Sequence, residues 1–237
     1  SKEMAGITFE DDGTVNFTTG TLDYGQGHAT PFAQVLADQI GVPFECIRLD
    51  QGDSDKLIVG GGTGGSRSIT ASGTAAIMAS TKVKENARKL AAKTLETAVE
   101  DIEFKSGILK VIGTDREISL TELAQTEEGL SGALNTALAI DTPPSTYPNG
   151  VHICEVEIDP VTGVLVIDKY TAVDDFGTMI NPAIVAGQVH GGIVQGLGQA
   201  LMEHAMYDGS GQLQSGSFMD YSLPRADQIP HIVFKDH

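Results

Sequence analysis

Val59-Gly60-Gly61-Gly62-Thr63-Gly64-Gly65-Ser66-Arg67-Ser68 is neither core nor ordinary strand, because its five glycines each lose more backbone freedom on folding than any other residue. A long helical pattern follows, Ile69 to about Ala98, with apolar residues at Ile69, Ala76, Val83, Ala87, Leu90 and Ala91. A glycine loop feeding a helix start leaves N–H groups free beside the positive end of the helix dipole, which suits an anion, usually a phosphate. The Walker pattern is excluded, because Gly65 runs into Ser66 and Arg67 where a lysine is required. Gly60, Gly62 and Gly65 satisfy G-x-G-x-x-G. The acidic residue a dinucleotide fold needs would be Glu85, which lies inside the helical pattern. The hydroxyls of Ser66 and Ser68 and the guanidinium of Arg67 favour an anion cradle over a flexible surface loop.

Working outward, 237 residues can bury a full core. No apolar run approaches the roughly 20 residues a membrane helix needs. A net charge of −17 argues against nucleic acid or an anionic membrane as partner. Cys46 and Cys154 lie far apart without metal-site spacing, which fits reduced thiols and a cytoplasmic protein. The chain begins Ser-Lys-Glu and stops at Lys235-Asp236-His237, and reads as a piece of something longer.

Ile7 to Thr18 alternates around Asp11-Asp12-Gly13 as a β-hairpin, continuing into Gly25-Gln26-Gly27-His28. Pro31 opens a helix carrying Phe32, Val35, Leu36 and Ile40 and ending at Gly41. Gln26, between two glycines that permit close approach, is a ligand candidate or an ordinary turn residue. His28 reads as a capping or packing histidine. Phe44 to Leu49 is a strand. Asp50, Asp53 and Asp55 form a solvated turn, since a calcium loop lacks its closing glutamate. Ile102 to Val111 is a second hairpin, Ser119 caps a short helix, and Gly129 to Thr146 is irregular. Val151 to Val173 is the clearest β segment, turning at Pro160–Gly163. Asn181 and Pro182 then start a helix. Its interior glycines, Gly187, Gly191, Gly192, Gly196 and Gly198, cost about 1 kcal/mol each, so something must approach them closely. Gln188, Gly192, Gln195 and Gln199 fall in one stripe at about 100° per residue, and amides suit a polar heterocycle rather than acid–base chemistry. A last hairpin turns at Asp208–Gly211.

Three ordered features, Gly25-Gln26-Gly27, Gly65-Ser66-Arg67-Ser68, and Asn181-Pro182 followed by Gly187-Gln188 to Gln195-Gly196, resemble the large subunit of the molybdenum hydroxylases. That family includes xanthine dehydrogenase, aldehyde oxidoreductase and aerobic carbon monoxide dehydrogenase. The resemblance implies that residues 1–237 are the C-terminal molybdopterin-binding region, in two intimately packed halves at about 1–145 and 146–237. It implies an α+β fold of antiparallel hairpins packed with long helices. The cofactor implied is molybdopterin, or its cytosine dinucleotide, with molybdenum. Gln26 and Gly27 would contact the pterin. Gly65, Ser66, Arg67 and Ser68 would wrap the phosphate or pyrophosphate, and Gln188, with Gln195, would add amide contacts. The implied partners are the rest of the subunit and iron–sulfur and FAD subunits or domains, in an oligomer. The family's general base stands in a Gly-x-Gly-Glu motif, and no Gly-Glu pair occurs here. No catalytic or metal-ligating residue is therefore assigned, and the isolated chain is expected to be inactive. The rival reading is a stand-alone phosphate- or nucleotide-binding module.

Overall fold

A computed structural model describes residues 1–237. The chain divides into two compact units, Ser1–Thr146 and Tyr147–His237. In the first, β1 (Lys2–Phe9) and β2 (Val15–Thr19) form the expected hairpin, with Ile7 opposite Phe17. After α1 (Ala29–Ile40), whose C-cap Gly41 adopts φ 71°, the chain returns as β3 (Ile47–Asp50), parallel to β2. Residues Phe44–Cys46 are a 3₁₀ turn rather than the start of the expected strand. The helix after the glycine loop, α2, spans Ser68–Thr94, short of the expected Ala98. Glu96 takes a left-handed φ of 48° and the Thr97 N–H returns to the Ala92 carbonyl at 2.9 Å, so the helix closes in a Schellman turn.

The strands β4 (Ile102–Lys105), β5 (Ile108–Val111) and β6 (Glu117–Ser119) make a small antiparallel sheet. The short helix α3 (Leu120–Ala124) follows, with the expected capping box between Ser119 and Glu122. The stretch expected to be irregular contains β7 (Thr136–Asp141), which pairs antiparallel with β1 and completes a sheet ordered β3-β2-β1-β7. Its small, weakly alternating residues carry no strand signal of their own; the free edge of β1 recruits them.

The core of this unit lies between the sheet and the two long helices. Phe17 packs edge-on against Phe32, 5.6 Å between ring centres, and Ile7, Leu36, Ile40 and Val83 are fully buried around them. Buried positions of α2 are mostly alanine (Ala75, Ala76, Ala79, Ala87, Ala91), which lets a 27-residue helix lie close to β1 and α1.

The second unit is a hairpin with one helix. β8 (Asn149–Ile158) and β9 (Leu165–Asp175) pair antiparallel with a bulge between Glu155 and Val156. α4 (Pro182–Leu201) packs on this sheet, and β10 (Ile232–Asp236) then joins β9 in parallel. The parallel pairs β2–β3 and β9–β10 are absent from a hairpin-only reading. The expected hairpin at Asp208–Gly211 is reduced to one bridge, Tyr207–Leu213. Ala172, Ile193 and Ile232 are the buried apolar centre, with Val189, Leu197 and Phe234 against it.

Candidate functional site

The glycine loop is anchored to the end of β2. A Cβ added at Gly60 would stand 2.6 Å from the Gly20 Cα, and the Gly62 N–H donates to the Gly20 carbonyl at 3.1 Å. Thr63 Oγ1 accepts the Leu22 N–H at 3.1 Å and lies 3.3 Å from Ser68 Oγ. Gly62, Gly65 and Ser66 take left-handed φ values of 66°, 65° and 52°, and Arg67 then leads into α2. Arg67 is a poor N-cap and makes no side-chain cap bond. The first backbone bond of α2 runs from the Ala71 N–H to the Arg67 carbonyl at 2.8 Å. The N–H groups of Ser66, Arg67, Ser68, Ile69 and Thr70 therefore have no acceptor within the chain. Arg67 is exposed, its Nη1 3.4 Å from Ser1 Oγ, and no acidic residue stands between Lys56 and Thr70. In a chain of net charge −17, this segment carries one arginine and no carboxylate of its own.

The Gly25-Gln26-Gly27 turn lies beside this loop, with the Tyr24 hydroxyl 3.5 Å from where a Gly62 Cβ would be. Asp23 organises the turn by accepting N–H groups from Gly25 (2.7 Å) and Gly27 (3.3 Å) on Oδ1 and from His28 (2.7 Å) on Oδ2. Burial pushes the Asp23 carboxyl up, but the N–H groups of His28, Gly25, Gln26 and Gly27 together hold it below the usual range. Gln26 Oε1 accepts the Tyr24 N–H, which turns its –NH2 into the group offered to a ligand. His28 is a packing histidine, 5.3 Å from the Phe32 ring centre, and burial pushes its pKa down.

Gln188 and Gln195 belong to the second unit. Asn181 Oδ1 accepts the Ile184 N–H at 3.1 Å, which satisfies the start of α4. Val189, Ile193 and Leu197 pack toward the sheet, and Gln188, Gly192, Gln195 and Gln199 are all exposed. Gln188 lines a cleft of about 390 Å³ with Asn149, His152, Asp174, Phe176 and Gly192. Gln195, about two turns further along, is outside it. Sequence reasoning missed His152 and Asp174. The carboxylate of Asp174 lies 3.1 Å from His152 Nε2, and the Tyr170 hydroxyl 3.2 Å from Nδ1. Only the β8–β9 register, which sets His152 opposite Ala172, brings these together. No three His, Cys, Asp or Glu side chains form a metal-ligating group.

A family model for a molybdopterin cofactor-binding domain matches residues 1–230. The chain belongs to that family. This molybdopterin-binding domain is 38% identical over 237 residues to the nicotine 6-hydroxylase large subunit of Paenarthrobacter nicotinovorans, covering 96% of this chain and 29% of that protein. It is 38% identical over 218 residues to the carbon monoxide dehydrogenase large chain of Hydrogenophaga pseudoflava, covering 90% and 27%. The reconstituted CO dehydrogenase from Oligotropha carboxidovorans superposes with a TM-score of 0.83 at 35% identity, over 99% of this chain and 30% of that one. The domain thus spans less than a third of the relatives it matches, and its α+β architecture is that of molybdenum hydroxylase large subunits. The stand-alone phosphate-module reading is not supported, because the match to a molybdopterin-binding family runs through both units. The free amides of Ser66–Thr70 and the donor –NH2 of Gln26 fit a cofactor that carries phosphate and a polar heterocycle. No helix is long and apolar enough to cross a membrane.

Proposed function

We propose that this domain supplies one wall of the cofactor site in the large subunit of a molybdenum-dependent hydroxylase or dehydrogenase. The observation that carries the reading is the run of five unpartnered N–H groups, Ser66 to Thr70, at the head of α2. These amides, with the Ser66 and Ser68 hydroxyls, Arg67 and the flexible backbone at Gly65, would hold the cofactor's phosphate or pyrophosphate. Gln26, with Gly27 permitting close approach, and the exposed amides of Gln188 and Gln195 would contact the pterin or its cytosine nucleotide. When bound, the cofactor supplies the redox chemistry of molybdenum. The residues of this chain orient it and add no proton-transfer group that the family's mechanism requires.

The names of the relatives support an N-heterocycle or carbon monoxide as substrate class, and an aldehyde is the third class in the proposal. Relatives named as large subunits and as one subunit of a complex support assembly with further chains, for which iron–sulfur and FAD subunits in an oligomer are the proposal. Two free cysteines support a cytoplasmic location.

Crystals grown in phosphate or sulfate test the cradle. An anion is expected on the Ser66–Thr70 amides, filled at tens to hundreds of millimolar, since a helix terminus plus one arginine is worth about 1–3 kcal/mol. A structure in which those N–H groups turn to protein carbonyls overturns the reading.

A further inference from the structure

Glu3 is buried, 3% exposed, and its partners are N–H and O–H groups rather than a cation. Its Oε1 accepts the N–H of Gly20 at 2.8 Å and of Met4 at 2.8 Å, and lies 3.3 Å from Thr19 Oγ1. From Thr19 a line of polar side chains crosses the interior of the first unit. Thr19 Oγ1 is also within reach of Ser72 Oγ, at 2.8 Å, and Ser72 Oγ is 3.3 Å from Thr21 Oγ1. Gln51 Nε2 donates to Thr21 Oγ1 at 2.8 Å and stands 3.4 Å from His28 Nδ1. Thr19, Thr21, Ser72 and His28 are all buried. For stability alone such a line is a poor investment of core volume, since apolar groups of the same shape are commonly as good or better.

The two ends of the line fall on the two ligand-facing loops. At one end Glu3 holds the N–H of Gly20, whose Cα and carbonyl seat Gly60 and Gly62. At the other, His28 closes the Gly25-Gln26-Gly27 turn through its N–H on Asp23. The middle link, Ser72, sits near the start of α2, the helix whose first amides are free.

We infer that Glu3, Thr19, Ser72, Thr21, Gln51 and His28 are positioning residues that set the spacing between the Gly60–Ser68 loop and the Gly25-Gln26-Gly27 turn. Segments about 40 residues apart in sequence then address one phosphorylated ligand as a preorganised pair. A largely buried line in which each side chain has a polar partner has few alternative geometries, which is what such a spacer requires. The inference rests on the reading of both loops as cofactor-binding.

The test is a titration of the 237-residue chain with inorganic pyrophosphate, followed by NMR at the Ser66–Thr70 amides and the Gln26 side-chain –NH2. In the unmodified protein both sets are expected to shift with one shared Kd. Ser72→Ala removes the middle hydroxyl without disfavouring helix. It is expected to weaken binding at the α2 amides about threefold to tenfold, the value of a buried hydrogen bond, and to release Gln26 from the shared Kd. Glu3→Leu should behave likewise, whereas Glu3→Gln, which keeps an acceptor for Gly20, should restore the shared Kd. If Ser72→Ala does not fold, the Glu3 pair decides. A shared, unchanged Kd in the folded Ser72→Ala and Glu3→Leu proteins overturns the inference and leaves the loop reading standing. No saturable shift at Ser66–Thr70 in the unmodified protein overturns both.

Discussion

The helices α2 and α4 are both rich in small residues, and they use them in opposite ways. In α2 the small positions are covered by the unit's own sheet and by α1: Ala75, Ala76, Ala79, Ala87 and Ala91 are fully buried. In α4 a Cβ added at Gly187, Gly191, Gly192 or Gly196 would meet no heavy atom within 4 Å, and only Gly198 is crowded, by Glu203 and Pro224. The expected close approach to the α4 glycines is therefore not made within this chain at four of the five positions. Their helix-propensity cost, about 1 kcal/mol each, has no packing return here. The proposal for them is a close-lying cofactor or another part of the subunit. The helix starts differ in the same sense. Asn181 caps the head of α4 through the Ile184 N–H and Pro182 has no N–H to leave free, while no side chain caps the head of α2. Small residues thus signal two things, a packed interior or a surface kept open, and helix propensity cannot tell which.

Larger side chains should separate the two cases most sharply. Ala76→Leu in α2 has no free volume to enter and should cost about 1–3 kcal/mol from overpacking. Gly192→Ala in α4 should instead gain about 1 kcal/mol of helix propensity. Urea denaturation of each variant measures both, and equal losses would erase the distinction. In the complete subunit Gly192→Ala should lower cofactor content, because the added methyl occupies the open face.

The helix starts provide a smaller contrast. Arg67→Asp supplies α2 with the N-cap it lacks and should raise stability by about 0.5–1 kcal/mol. The same change places a carboxylate on the free amides and should abolish phosphate binding. Stability from thermal unfolding and affinity from calorimetry should therefore move in opposite directions. Concordant losses would mean that Arg67 is structural.

The smallest expected effect is a pH dependence confined to the first unit. Burial lowers the His28 pKa from 6.5, against the opposing pull of Asp23 and Gln51. A depressed folded-state pKa means the unfolded chain takes up the proton first, so the contribution is complete above pH 6.5 and declines as pH falls below it. Asp23, also depressed, adds a second decline at lower pH. The His28 ring, followed by NMR, should titrate below 6.5, and His28→Gln should flatten the upper part of the stability profile. A midpoint above 6.5 would contradict the buried, neutral ring.

Local features of the sequence determined a good deal of this. The Asp11-Asp12-Gly13 and Pro160–Gly163 turns, the alternation in β1, β2, β8 and β9, the Ser119 capping box and the Asn181-Pro182 start each depend on residues within a few positions of one another, where steric and hydrogen-bond preferences suffice. The glycine loop that opens α2 was legible for the same reason, as glycines and hydroxyls directly before a helix. Only the tertiary structure decided what required partners distant in the chain. β7 and β10 exist because β1 and β9 offer edges to pair with. His152 meets Asp174 only through strand register, and Glu3 reaches Gly20 only when β1 lies beside β2. Whether a small residue is buried, as Ala76 is, or left open, as Gly192 is, was likewise beyond local reading, because burial is a property of what packs against a residue and not of the residue itself.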